Sequence, residues 1–445
     1  MQMINNMKQK YTFLQVSSMV ILLVLLSVGC SKEDNSIIKC DDSQEDLSKT
    51  IPVDEAIASL EQLMTELYGE TKSSKNYSID VFGGINTKAD DFALPDSTLY
   101  LVNFGEKDGY AILSAQTRIK TGIFCITESG TITPHDIQEA IVNMEKEDVT
   151  KATEDGDEED DDCFIDLGRE IVPAIIASSL INQWYYGYES REETEDTKAN
   201  SYTGTPDTSA MLETKWHQDS PFNDFRSDSA PAGCVAVATA QIIEFNALKY
   251  GYTSFVKDND KSFDWNLLRT VCHCTSRFNS GTVLAEQEAS DFLEYVGLSK
   301  NCNISYDVNG SGGYADGAKR TFKNMGYKSV KKYLGFETAD KNRAIAQLTN
   351  GFPMFMSGLR SGAGHAWVLD GIYVRKVYNE VGSYLRTDNM FHINWGWRGK
   401  DDGYFLQGVF DTSQRQDTET GVDPGASSTP SRNYTWNYRT ITYSL

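Results

Sequence analysis

In the second half of the chain, helical spacing comes first and strand spacing afterwards, and this order limits the architecture more than any other feature. Apolar residues recur at helical intervals over Cys234 to Asn246, Leu284 to Val296, Tyr314 to Asn324 and Ala339 to Asn350. Strand-like runs then occupy Phe352 to Ser357, His365 to Val374, Met390 to Trp395, Tyr404 to Leu406 and Tyr438 to Ser444. Helices followed by strands predict an α+β fold, with a helical lobe set against an antiparallel sheet lobe, over residues 209–445. With 445 residues the chain exceeds the ~250–300 that one core supports, so a second unit is expected ahead of it.

The earlier part supplies that unit. Val53, Ile57, Leu60, Met64 and Leu67 predict one amphipathic helix, and Leu99 to Phe104 and Gly109 to Ser114 flank a turn at Gly105-Glu-Lys-Asp108. Ile123 to Thr127 continues the strands, and Pro134 to Met144 predicts another helix. Residues 51–188 therefore form a small α+β domain with no nucleophile and base of its own. Residues 154–162 carry eight acids in nine positions, a block that repels itself and belongs in a solvated loop; its spacing does not match a calcium-binding EF-hand. Residues 189–208 are polar with almost no apolar anchor, and are expected to be a linker open to processing, with cleavage near Lys198.

The N-terminus carries an export pattern. Lys8 and Lys10 precede an apolar run from Met19 to Leu26, and Ser27-Val-Gly29 then leads to Cys30. This resembles a bacterial lipoprotein signal over residues 1–29, which implies lipidation of Cys30, an outer-membrane lipid anchor and a polar tether over 30–50. Ser31-Lys-Glu-Asp34 resembles the acidic export tag of some surface lipoproteins. An ordinary cleaved secretory signal is the alternative, and either places the protein outside the cytoplasm. The net charge of −23 argues against nucleic acid as a partner. The eight cysteines are scattered rather than packed into a disulfide scaffold, and Cys272-His-Cys274 has no second pair of ligands nearby to make a metal site.

Chemistry concentrates at three places. Ala230-Pro-Ala-Gly-Cys234 opens an alanine-rich helix, where unpaired backbone N–H groups and the positive end of the helix dipole favour a thiolate. Gly364-His-Ala366 and His392-Ile-Asn-Trp395 follow, in a chain with five histidines. Cysteine, histidine and asparagine in that order suggest a nucleophile, its base and the group that orients the base. His217 and His392 compete with His365. His392 shares a strand face with Asn394, which makes packing or hydrogen bonding the simpler account of it.

Four stretches together resemble the streptopain family of papain-like cysteine peptidases, which are secreted with an N-terminal prodomain. They are Thr214-Lys-Trp-His-Gln-Asp-Ser-Pro-Phe-Asn223, Gly233-Cys-Val-Ala-Val-Ala-Thr-Ala-Gln241, Gly364-His-Ala-Trp-Val-Leu-Asp-Gly371 and His392-Ile-Asn-Trp-Gly-Trp-Arg-Gly399 with Asp402-Gly-Tyr-Phe405. The separation of Cys234 and His365 falls within the ~130–150 residues of papain-like enzymes. The resemblance implies Cys234 as nucleophile, His365 as base, Asn394 as acceptor of the second imidazole N–H, Trp395 as a cover over that bond, and Gln218 as oxyanion donor. Trp397 is assigned to packing. Asn309-Gly-Ser-Gly-Gly313 resembles a stretch that lines the family's substrate cleft.

The expected protein is a lipid-anchored, exported endopeptidase zymogen. Its substrates are polypeptides, residues 51–188 are its inhibitory prodomain, and no metal or organic cofactor is needed. Two other readings compete: a cell-wall peptide amidase on the same fold, and a surface adhesin or inhibitor that kept the fold without activity.

Overall fold

The computed structural model describes residues 49–69, 76–87, 92–119, 121–151, 165–166, 170–186, 199–252, 262–271, 282–360, 363–379, 381–410 and 436–445. The signal segment with Cys30, the acidic block 154–162, Lys198 and Cys272 to Cys274 lie outside them.

In chain order come α1 (Val53–Tyr68), β1 (Tyr77–Phe82), β2 (Asn86–Thr87), β3 (Phe92–Ala93), β4 (Leu99–Phe104), β5 (Tyr110–Ser114), β6 (Ile123–Thr127), α2 (Pro134–Lys151), β7 (Ile165–Asp166), α3 (Ile171–Tyr186) and β8 (Ala199–Thr208). Then follow α4 (Cys234–Tyr250), α5 (Trp265–Thr270), α6 (Thr282–Gly297), α7 (Ala315–Asn324), β9 (Lys328–Leu334), α8 (Thr338–Thr349), β10 (Met354–Arg360), β11 (Ala363–Asn379), β12 (Tyr384–Asn394), β13 (Gly403–Leu406) and β14 (Asn437–Ser444). All four helices expected between 234 and 350 are present, and the five strand runs after them fall on β10 to β14. The fold is α+β.

Strands β1 to β3, β7, β8 and β9 and helices α3 and α5 were not anticipated, and two of them have a clear physical reason. Helix α3 is buried over most of its length, with Ser178, Ser179, Asn182 and Gln183 buried too, so it shows no solvated face for a period-based reading to find. Residues 199–208, expected within a linker, form β8 because β11 offers them an open row of backbone groups. The register runs antiparallel from Ile372 opposite Thr208 to Asn379 opposite Ala199.

One twelve-stranded sheet runs through the whole described unit. Its order is β1-β4-β5-β6-β13-β12-β11-β10-β14-β9, with β7 and β8 added to β11. The strands before residue 130 join those after 350 where β6 pairs β13, placing Thr127, Ile126 and Cys125 opposite Gly403, Tyr404 and Phe405. Side chains follow the same continuity: Phe124, Ile176 and Leu180 share an apolar core with Trp367, Phe405 and Phe410. A second core lies under α4, where Val237 and Ile242 meet Trp216, Phe292, Phe322, Phe355 and Val368. Residues 48–445 make one compact unit.

Strand β11 is the hub. β12 covers residues 368–378 of one edge, while β10 covers residues 363–369 of the other edge and β8 covers 372–379. Its two-residue partner β7 places Ile165 and Asp166 beside Ala363 and Gly364, directly before His365.

Candidate active site

Cys234 is the first residue of α4 and is 2 % exposed. Gly233 before it has φ +89°, and a Cβ there would meet Ile304 Cγ2 at 3.0 Å, so both conformation and space call for glycine. That turn places the Cys234 backbone at the free N-terminal end of a helix whose residues are almost all buried. Helix α4 packs against β10 and β11, so the cysteine's helix and the histidine's strand share one interface. Gln218 is held next to this helix start by its backbone carbonyl, which accepts Ala232 N–H at 2.8 Å; its side chain is buried.

His365 sits on β11 opposite Gly358 of β10 and is 1 % exposed. Its Nε2 lies 2.7 Å from the Trp395 carbonyl oxygen. A carbonyl can only accept, so this nitrogen carries the hydrogen and Nδ1 is the basic one in the neutral ring. The imidazole stacks with Trp397 at 5.9 Å and with Trp367 at 6.3 Å between ring centres, and Trp395 lies at 6.3 Å in a tilted pose. Trp397, assigned to packing, is therefore a wall of the imidazole site.

Asn394 is placed differently from the expectation. Its Oδ1 accepts Gln241 Nε2 at 3.1 Å and Gly396 N–H at 3.0 Å, and its Nδ2 donates to the Thr214 carbonyl at 2.8 Å. Two donors fill the two lone pairs of an amide oxygen, which leaves the imidazole N–H to the neighbouring backbone carbonyl of Trp395. Gln241, two turns along α4 from Cys234, also accepts Thr214 Oγ1–H at 2.9 Å and Trp216 N–H at 3.4 Å. This one side chain ties the helix that Cys234 opens to the Gln218 segment and to the end of β12. It lies inside the nucleophile motif, yet nothing in its spacing announced the link.

A buried ionic cluster borders this assembly. Asp402, fully buried, accepts Trp395 N–H at 2.9 Å through one oxygen and pairs with Lys215 Nζ at 2.9 Å through the other. His392 Nδ1 lies 2.6 Å from Asp370 Oδ1, and its Nε2 lies 3.8 Å from Glu128 Oε1. Burial alone would lower the His392 imidazole, but Asp370, helped by Glu128, outweighs it and pushes the ring up to about 10. On α4, burial, reinforced by Glu213, pushes the Glu244 carboxyl up to about 8.

Both shifts act on stability in one direction. The folded chain holds protons that the unfolded chain releases near the ordinary values of the two groups. The His392 contribution is whole below pH ~6.5 and disappears as pH rises through about 10. The Glu244 contribution is whole below pH ~4.3 and disappears as pH rises through about 8. The denaturation midpoint should therefore fall between pH 6.5 and 10, by an amount worth on the order of a few kcal/mol. His392→Gln should flatten the alkaline half of that decline; thermal melts across the range check it.

Two other described cysteines provide a contrast. Burial pushes the Cys302 thiol up to about 11 against the opposing hydroxyls of Thr321 and Thr239, and pushes Cys125 up further. Neither ionises near neutrality. Among the described residues, no group of three or more His, Cys, Asp or Glu side chains is placed to hold a metal, and no helix is long and apolar enough to cross a membrane.

Residues 216–405 match the model of the Peptidase C10 family. Streptopain of Streptococcus pyogenes is 26% identical over 248 residues, which are 46% of this chain and 58% of streptopain. The chain thus spans under two thirds of that relative's length. The thiol protease/hemagglutinin PrtT of Porphyromonas gingivalis is 24% identical over 248 residues, 48% of this chain and 27% of its own length. A solved fragment of Prevotella intermedia prointerpain A covers 82% of this chain and 98% of itself, with 16% identity and a TM-score of 0.45. The matched region contains Gln218, the Cys234 helix, the His365 strand and the Asn394-Trp395 turn. Over residues 216–405, this chain is similar to the Peptidase C10 family and to streptopain within it.

Proposed function

We propose that the chain is the precursor of an exported cysteine endopeptidase, with Cys234 as nucleophile and His365 as base and acid. The single observation that carries this reading is the pairing of a cysteine-led helix with the strand whose buried histidine is oriented by the Trp395 carbonyl. Cys234 Sγ, as thiolate, attacks the scissile carbonyl carbon, and the imidazolium of His365 delivers its Nδ1 proton to the departing amine. Water, deprotonated by the same nitrogen, then opens the thioester. The Gln218 side-chain amide and the Cys234 backbone N–H receive the negative oxygen of each tetrahedral intermediate, and a donor of this kind supplies ~2.7–4 kcal/mol. Asn394 serves by anchoring the Gln218 segment to α4, and Trp395 by its carbonyl and its ring. Substrates are extended polypeptides, and the Asn309 to Gly313 stretch borders the cleft: a Cβ on Gly313 would meet Ile304 at 2.7 Å, the side chain that also packs on Gly233. No metal or organic cofactor takes part.

The leading segment, 51–188, acts as the inhibitory prodomain. Support comes from β7 lying beside Ala363 and Gly364, and from the sheet and core that the segment shares with the site strands. Cleavage near Lys198 activates the enzyme, the chain working on its own precursor. Cys30, as a lipidated N-terminus, holds the protein at the outer membrane until processing.

Labelling tests the reading directly. Iodoacetamide at neutral pH should modify Cys234 in the processed protein faster than Cys125 and Cys302 by about 100-fold or more, and an excess of peptide substrate should slow it. Equal reactivity of the three thiols, or no protection by peptide, overturns the assignment.

A further inference from the structure

The Lys215–Asp402 pair sits where two pieces of the proposed site meet. Asp402 carries a carboxylate with no exposed surface, and its oxygens are divided between two tasks. One accepts the N–H of Trp395, the residue whose carbonyl receives His365 Nε2–H at 2.7 Å. The other holds Lys215, three residues before Gln218 in the same segment, whose Nζ has Asp402 as its ion-pair partner. The same carboxylate therefore secures the carbonyl that orients the base and the segment that carries the oxyanion donor. We propose that Asp402, with Lys215, is a positioning residue for this site: it fixes the Trp395 turn, and through it the His365 ring, and its balanced charge sets how readily the imidazolium persists. The inference rests on Cys234 and His365 being the reacting pair.

A buried ion pair could equally be there for stability alone, and the two accounts separate on the pH profile. If the pair only holds the fold, removing either partner lowers the folded fraction and scales the profile without moving it. If it positions and biases the imidazole, the partners act in opposite directions. Asp402→Asn leaves Lys215, about one-fifth exposed, as an uncompensated cation beside the Trp395 backbone that holds the imidazolium, which then loses its proton at lower pH. Lys215→Met leaves the Asp402 anion uncompensated, and the imidazolium holds its proton to higher pH. His392 on β12, Asp370 on β11, Glu128 after β6 and Asp401 also face this pair, and the substitutions leave all four in place.

The experiment is the pH dependence of kcat/KM on a peptide substrate. Full-length variants are matured with a trace of wild-type enzyme and normalised to folded protein by near-UV circular dichroism. The alkaline limb should move down by about half a unit or more in Asp402→Asn and up by a similar amount in Lys215→Met. It should return close to its original position in the double variant, with the remaining loss in kcat rather than KM. A limb that stays in place in folded Lys215→Met, or that moves the same way in both single variants, overturns the proposal. Should Asp402→Asn fold poorly, Lys215→Met and the double variant decide it. Retained activity in Cys234→Ala or His365→Ala would instead sink the site assignment, and these two variants are run alongside.

Discussion

Replacing Cys234 with alanine should lower kcat/KM on a peptide substrate by at least ~10⁴-fold while leaving the melting transition in place. In the proposed mechanism every covalent step runs through that sulfur, and neither Cys125 nor Cys302 can substitute for it: both are buried, with thiols pushed up by burial. His365→Ala should cost a comparable factor, since a thiol without its base is protonated and the leaving amine goes without a proton. The two together should cost little more than either alone, because the residues work as one unit. Assays on purified, folded variants measure all three. The Cys234→Ala precursor should also persist uncut near Lys198; conversion at the wild-type rate would remove self-processing from the account. A double variant much slower than both single variants would mean that sulfur and imidazole act separately.

Trp367→Ala should give the largest loss of stability from one side chain, about 3–5 kcal/mol in a denaturant titration. The indole is fully buried and lies 5.0 Å from Trp395 and 6.4 Å from Phe410, ring centre to ring centre. It also stacks on His365, so the cavity opens next to the imidazole. Activity per folded molecule should drop as well, since an imidazole with one wall missing samples poses that do not face the sulfur. Trp367→Phe should recover most of the stability and part of the activity. A midpoint unchanged by Trp367→Ala would contradict the packing described for the shared core.

Patterns local to the chain were readable before any coordinates. Apolar spacing marked the helices from 284 to 350 and the strands after them, because a period of 3.6 or 2 residues reports which side of an element is buried, whereas α4 was marked by its alanine-rich run behind Gly233. Gly233 before Cys234 marked a place where the backbone turns with positive φ close to a neighbour, Ile304. What had no local signature went unread. Helix α3 is buried on all sides, and β8 is polar and becomes a strand only because the outer half of β11 is there to pair with it.

The chemically relevant pairings were of the same hidden kind. The motif suggested that Asn394 would orient the histidine, and the folded chain gives that hydrogen bond to the carbonyl of Trp395. A backbone carbonyl is common to every residue, so no residue type can advertise it. Gln241, Asp402 and Lys215 are ordinary polar residues until folding brings Gln241 to 3.1 Å from Asn394, and Asp402 to 2.9 Å from both Trp395 and Lys215. The order and identity of the proposed reacting side chains are thus read from the sequence itself. Their orientation, and the single sheet that binds the leading segment to them, came from tertiary contacts between residues far apart in the chain, because hydrogen-bond partners are chosen by proximity in space and the lone pairs still open there.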